Sequence, residues 1–313
     1  MRIVFMGTPE FSVPSLQALL HTEEEVVGVF TQPDRPKGRG GKVQMSPVKQ
    51  LALEHNIPVF QPKKIRLDGL DDLRGLAPDL CVTAAFGQIL SQAILDVPLK
   101  GTVNVHASLL PRHRGSSPVN WAILQDDSAT GVTTMMTDAG IDTGDMLLKR
   151  EVPITDQDTA GSLLQTLSNV GAELLIETIR QLKAGTCPRE KQNEDDMTYD
   201  PMLNKEMGLL DFSQPSRALF CRIRALNPWP SAFAETNKGM LKIWASKPVA
   251  MQTEAQPGTV LAADAKQGLI VATGDGALEL LEIQAPNAKR MPAGVFLLGR
   301  QILVGKPLKE ALV

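Results

Sequence analysis

Three side chains in two short stretches could together move an acyl group. In Val103-Asn104-Val105-His106-Ala107-Ser108-Leu109-Leu110-Pro111, Asn104 and His106 stand two apart at what reads as the end of a strand, so both leave the same face. In Gly140-Ile141-Asp142-Thr143-Gly144, Asp142 occupies a Gly-flanked loop after the next strand. Transfer of an acyl group from one nitrogen to another passes through a tetrahedral intermediate. Its oxyanion needs a donor, which the amide of Asn104 could supply. The attacking amine must lose a proton and the leaving nitrogen must gain one, and an imidazole suits both steps. A carboxylate such as Asp142 could orient that ring or hold its charge. An α-amine has a pKa of about 7.7–8.0, so it attacks with little activation and no covalent protein intermediate is required.

Each of these residues also has an ordinary structural role open to it. Asn104 could be a satisfied turn residue, and Asp142 a loop-capping carboxylate. Ser108, His106 and Asp142 could be read as a hydrolase triad, but no GxSxG elbow surrounds Ser108.

The elements that must position these residues follow a strand–helix rhythm. Arg2–Met6 and Val26–Phe30 read as buried strands, with a helix over Pro14–Leu20 between them. The turn Gly7-Thr8-Pro9 lacks the GxGxxG dinucleotide fingerprint. Ser46-Pro47 starts a helix to about His55, with a cap hydroxyl and Pro in the first turn. Strands follow at Pro58–Phe60, Leu80–Ala84, Gly101–Val105, Gly131–Thr137 and Met146–Val152. Helices are expected over Ile89–Leu95 and Pro118–Leu124, while residues 63–78 resist assignment. A long amphipathic helix runs from a Thr159 cap to Gly185. This alternation predicts an α/β fold with a mostly parallel, doubly wound sheet, and such sheets bind ligands outside the carboxyl ends of their strands.

Residues 186–208 are polar and weakly periodic, and read as a linker between a first domain, 1–185, and a second, 209–313. A basic helix over Arg217–Leu226 should leave Arg222 and Arg224 at least partly exposed, and Asn227-Pro228-Trp229-Pro230 ends it. Short strands without helices between them then predict a small β-barrel.

Charge is uneven along the 313 residues. From Lys205 onward 13 Lys+Arg stand against 9 Asp+Glu, and the remainder has 19 against 26. An acidic front and a basic back suit a protein that meets a polyanion with part of its surface. The stretch from Thr31 to Lys42 carries Arg35, Lys37, Arg39 and Lys42 against Asp34 alone. It is too rich in Pro and Gly to suggest regular structure. It is no phosphate loop, because Pro36 and Val43 stand where that motif needs Gly and Ser or Thr. A long basic loop beside an active site suits a polynucleotide backbone.

Cys81, Cys187 and Cys221 are odd in number and far apart, as in a reduced cytoplasmic protein. Four histidines without HExxH argue against a metal site. No signal peptide or membrane span is read, and no coiled coil, so a cytoplasmic monomer is expected.

The run Asn104-Val105-His106-Ala107-Ser108-Leu109-Leu110-Pro111-Arg112-His113-Arg114-Gly115, with Gly140-Ile141-Asp142-Thr143-Gly144-Asp145, resembles the folate-dependent formyltransferases. Gly7-Thr8-Pro9-Glu10-Phe11, the basic stretch 31–40 and Arg224-Ala225-Leu226-Asn227-Pro228-Trp229-Pro230 are similar to the branch that acts on charged tRNA. The resemblance covers nearly the whole chain. It implies a Rossmann-like first domain and an OB-like β-barrel behind it. The implied formyl donor is 10-formyltetrahydrofolate, and the implied acceptor is the methionine amine of initiator tRNA.

On that resemblance Asn104, His106 and Asp142 are the catalytic residues. Ser108, Leu109, Leu110 and Pro111, with Phe86, Gly87 and Gln88, would wall the folate site. Arg35, Lys37, Arg39 and Lys42 would meet the tRNA. Two positions depart from the family pattern. Ala107 stands where Gly is usual and asks for a negative φ, and His113 stands where an aromatic such as Trp is frequent. Three other readings compete. An enzyme formylating a small amine would need neither the basic loop nor the barrel. A non-catalytic RNA-binding relative predicts a broken trio. A formyl hydrolase usually carries a regulatory domain in front.

Overall fold

Aliphatic runs flanked by turn residues become the buried strands of this protein, and the longer amphipathic runs become the helices that cover them. The computed structural model describes residues 1–37 and 41–313, with Lys37 and Lys42 described in backbone only. The elements in chain order begin with β1 (Arg2–Gly7), α1 (Val13–Leu20), β2 (Glu25–Phe30), β3 (Arg35–Lys37), β4 (Lys42–Gln44), α2 (Pro47–Glu54) and β5 (Val59–Phe60). They continue through α3 (Ile65–Asp68), α4 (Leu70–Leu76), β6 (Leu80–Ala84), α5 (Gln92–Leu95), β7 (Thr102–His106), β8 (Arg114–Gly115) and α6 (Pro118–Leu124). β9 (Ala129–Met136), β10 (Met146–Pro153), α7 (Ala160–Ala184) and β11 (Tyr199–Asp200) follow.

Among the described residues the main sheet has seven strands in the order β10-β9-β7-β6-β1-β2-β5. β7, β6, β1, β2 and β5 run parallel, and β9 is antiparallel to both of its neighbours, β7 and β10, so that β10 runs with the parallel set. The expected Rossmann-like, mostly parallel sheet is therefore present. Its central strands are sealed on both faces: Ile3, Val4, Phe5 and Met6 of β1 are fully buried, as are Leu80, Cys81 and Val82 of β6. The crossover from β6 to β7 brings the ends of both strands to one edge, where Thr83 stands beside Asn104.

The chain falls into two compact units. One holds Met1–Pro118, Ala129–Pro153 and Leu164–Asp200, and the other Val119–Ser128, Ile154–Leu163 and Pro201–Val313. In the second, α8 (Ser216–Ala225), β12 (Ala232–Thr236), β13 (Gly239–Val249), β14 (Val260–Asp264), β15 (Gly268–Ala272), β16 (Ala277–Gln284), β17 (Met291–Pro292), α9 (Ala293–Gly299) and α10 (Leu308–Ala311) form the antiparallel β domain. Its pairing runs β12-β13-β16-β15-β14, with β17 on β16. One aliphatic core, including Leu219, Ile223, Leu241, Ile243, Val271 and Leu280, joins helix to strands.

Several expectations need correction. The stretch 31–42 is not wholly irregular: β3 and β4 pair antiparallel, with Pro36 opposite Val43. A two-stranded ribbon has free edges, so a proline is tolerated there. The helix expected over Ile89–Leu95 is only α5, because Ser91 takes an extended N-cap conformation and Ile89 stays outside it. Residues 63–78 hold two short helices, introduced by the Asp68 carboxylate accepting the Lys63 and Lys64 N–H groups. Arg224 is buried rather than exposed, at 5%. Its guanidinium donates to the carbonyls of Thr155 and Asp158 at 2.7 and 3.1 Å and lies over Phe220, which makes burial tolerable. Finally, 186–208 is no bare tether, since Glu190 pairs with Met146 and β11 pairs in parallel with β8.

Candidate active site

β7 places Asn104 and His106 on one face, as their spacing requires. Thr83, opposite Asn104 on β6, donates its hydroxyl to Asn104 Oδ1 at 2.9 Å. That bond uses the amide oxygen and leaves the NH2 group to donate elsewhere. His106 is 7% exposed. Its Nε2 lies 2.9 Å from the carbonyl of His113. A carbonyl only accepts, so Nε2 carries the proton and Nδ1 is the free nitrogen of the neutral ring. Nδ1 stands 3.7 Å from Asp142 Oδ1, beyond hydrogen-bond reach but within ion-pair distance.

Asp142 has a left-handed backbone, φ 54, in the loop between β9 and β10. Oδ2 accepts the Gly115 N–H at 2.9 Å, and the Gln192 amide donates to the carbonyls of Asp142 and Gly144 at 2.7 and 2.9 Å. Asp138 organises the front of the loop by accepting from Gly140 N–H and the Thr143 hydroxyl. A Cβ at Gly144 would fall 1.8 Å from the Met136 carbonyl oxygen, so only glycine lets the loop close onto β9. The structure thus brings Asn104, His106 and Asp142 together. A donor, a one-sided base and a carboxylate facing the nitrogen that gains charge are a set able to run acyl transfer.

The residues expected to wall a folate site behave differently from one another. Ser108 is fully buried, and its hydroxyl donates to the carbonyls of Arg112 and His113, which removes it as a hydrolytic nucleophile. Leu110 is buried with Met135 and Met146. Leu109 and Pro111 are half-buried, and Leu109 packs over Gly131 of β9. Phe86 is in the aliphatic core, and the Gln88 amide is used on Ile65 N–H and the Pro62 carbonyl. That turn exposes Ala85 and Gly87, both at positive φ, with the Gly87 carbonyl already taken by Gln32. Ala107 has no positive φ, in line with the expectation for that position.

The basic stretch is anchored at its base. Asp34 takes Lys49 Nζ at 2.6 Å and Gln61 Nε2 at 2.9 Å, and the lysine holds its carboxyl below the usual range. Gln32 donates to the Phe86 and Gly87 carbonyls and accepts from the exposed Arg35. Arg39 lies outside the described residues, as do the side chains of Lys37 and Lys42.

Sequence reading missed Thr83, Gln192, and the His113 carbonyl and Gly115 N–H that hold the trio. Thr83 sits on a neighbouring strand, and Gln192 lies in the segment read as linker. Neither carries a local pattern, and the other two interactions come from backbone, which any residue supplies.

Known proteins share both halves of this arrangement. The Formyl transferase family matches residues 1–179, and its C-terminal domain matches 202–301. A methionyl-tRNA formyltransferase of Clostridioides difficile is 47% identical over 306 residues, covering 97% of this chain and 99% of its own. Among solved structures, an N-formyltransferase from Helicobacter canadensis, in complex with folinic acid and dTDP-3-aminofucose, has a TM-score of 0.67 at 20% identity. It covers 93% of this chain and 100% of that one. HypX from Aquifex aeolicus, in complex with tetrahydrofolic acid, has a TM-score of 0.64 at 19% identity. It covers 96% of this chain, which spans about half of HypX, 47%. With both family domains in order and full-length relatives at this identity, the chain belongs to the methionyl-tRNA formyltransferases.

Proposed function

We infer that Asn104, His106 and Asp142 carry out the transfer of a formyl group from 10-formyltetrahydrofolate to the free amine of methionyl initiator tRNA, giving N-formylmethionyl-tRNA for translation initiation. The observation that carries this reading is the orientation of His106. With Nε2 committed to the His113 carbonyl, Nδ1 is the nitrogen left to take the amine proton. The imidazolium so formed faces the Asp142 carboxylate at 3.7 Å, which stabilises it without first competing for a hydrogen bond. The same ring then gives the proton to the departing nitrogen. Asn104, its oxygen held by Thr83, donates its NH2 to the oxyanion that develops.

The folate supplies a formyl group already activated on nitrogen. The residues near the strand ends suit such a ligand: the exposed turn residues Ala85 and Gly87 for a flat polar ring, and half-buried Leu109 and Pro111 for an apolar wall. The acceptor is set by other parts. Arg35, Lys37, Arg39 and Lys42 make the stretch 31–42 basic in sequence, which suits phosphates, and the excess of Lys and Arg from Lys205 onward gives the domain 209–313 a further claim on tRNA. We place the enzyme in the cytoplasm as a monomer. Its three cysteines are free, and burial pushes the Cys81 thiol up to about 12.

A formyl-transfer assay with the folate donor, offering charged initiator tRNA or free small amines such as methionine methyl ester, tests the assignment of acceptor. The tRNA should be used in strong preference. Comparable turnover of the small amines would shift the reading to an enzyme of small metabolites.

A further inference from the structure

The catalytic trio is held by a strap, residues 112–116, which the segment 192–200 fixes in place. His113 has φ 61, a left-handed backbone that a residue with a side chain holds only when its surroundings over-determine it. Its carbonyl accepts from His106 Nε2, and two residues on the Gly115 N–H goes to Asp142 Oδ2. The strap therefore sets both the tautomer of the ring and the position of the carboxylate.

Several interactions fix the strap from the far side. β8 pairs in parallel with β11. The His113 N–H donates to Thr198 Oγ1 at 2.8 Å. The Arg114 guanidinium reaches Glu194 at 2.8 Å and Gln192 at 2.9 Å. The innermost interaction is between His113 Nδ1 and Asp200 Oδ2, at 2.8 Å, with side chains only 4% and 2% exposed. A carboxylate so buried is costly unless it is hydrogen-bonded, so the pair is a specified feature of the site.

We propose that Asp200, acting through His113, is a positioning residue for formyl transfer, which keeps His106 as the Nε2–H tautomer with Nδ1 open toward Asp142. The proposal rests on the reading of His106 as the proton-transfer group. Without the Asp200 carboxylate, His113 Nδ1 loses its acceptor and the left-handed strap relaxes. The His113 carbonyl then leaves Nε2. The ring becomes free to place its proton on Nδ1 and donate to Asp142, which blocks the nitrogen that the reaction needs.

The test uses the full chain with Asp200→Ala, Asp200→Asn and His106→Ala, assayed by single-turnover transfer to charged initiator tRNA. Asp200→Ala should lower the rate on the order of 10²-fold, as misplacement at a reacting centre does, with KM for both substrates little changed. Asp200→Asn keeps an acceptor oxygen for His113 and should restore the rate to within a few-fold. The four histidines make imidazole 15N spectra tractable. His106 should show the Nε2–H tautomer in the wild type and in Asp200→Asn, and lose it in Asp200→Ala. If Asp200→Ala does not fold, Thr198→Val, which removes the acceptor of the His113 N–H, carries the same expectation. Wild-type rate and tautomer in the alanine variant would overturn the proposal, as would an asparagine variant as slow as alanine. Should His106→Ala itself keep the wild-type rate, the reading of His106 fails. An inactive His106→Ala beside a fully active Asp200→Ala defeats only the positioning role.

Discussion

At the scale of single residues, the candidate site commits one end of a polar side chain and leaves the other open. Asn104 gives its oxygen to Thr83 and keeps its NH2, and His106 gives Nε2 to a carbonyl and keeps Nδ1. Loss of an oxyanion donor costs about 10²–10³ in kcat, and Asn104→Ala should fall in that range. Thr83→Val leaves the amide present but free to rotate, so its kcat should fall less than that of Asn104→Ala and more than that of a distant surface variant. Steady-state kinetics at saturating substrates decide this, and an unchanged kcat in Thr83→Val would mean that the hydroxyl does not orient the amide. Asn104 and His106 were legible because alternation along a strand is a strict rule. Thr83 was not, because the register between strands is a property of the sheet and leaves no mark in either strand alone. The same limit hid Asp200, which lies 87 residues from its partner His113.

At the scale of elements, strand ends hold the proposed catalytic residues, and the β3–β4 ribbon lies within the basic stretch 31–42. The ribbon is tied to the site by Gln32, which bonds the Phe86 and Gly87 carbonyls, and to the sheet by the Asp34–Lys49 pair. Neutralising Arg39 together with Lys42 should weaken use of tRNA and flatten its salt dependence, since each phosphate left unneutralised lowers the slope of log affinity against log salt by about 0.9 at most. Titrating KM for tRNA against salt checks this, and unchanged kinetics would remove the ribbon from the interface. Long, strongly patterned elements such as α7 and the strands of the β domain were readable from periodicity and turn residues. The ribbon was not, because its prolines and glycines hide a pairing that needs no central strand. The short helices after β5 and β6 were blurred for a different reason: their starts turn on local details, the Asp68 carboxylate accepting the Lys64 N–H and the extended backbone of Ser91, which local pattern does not separate from ordinary loop.

At the scale of the whole molecule, the proposed function assigns reaction and acceptor to different parts of the chain. On the proposed reading the trio explains formyl transfer to almost any amine, while the basic stretch 31–42 and the excess of Lys and Arg from Lys205 onward account for a tRNA acceptor. The segment after α7 belongs to the catalytic side of this division. Its polarity reads as a linker, yet Gln192, Glu194, Thr198 and Asp200 all serve the strap that holds the trio. A division of this kind predicts that chemistry can be removed while recognition survives. The most direct test is single-turnover formyl transfer to charged initiator tRNA by His106→Ala, with tRNA affinity measured on the same protein. The transfer rate should fall by about 10²–10⁴, the range supplied by general acid–base catalysis, with tRNA affinity unchanged. Near-wild-type transfer by His106→Ala would contradict the account.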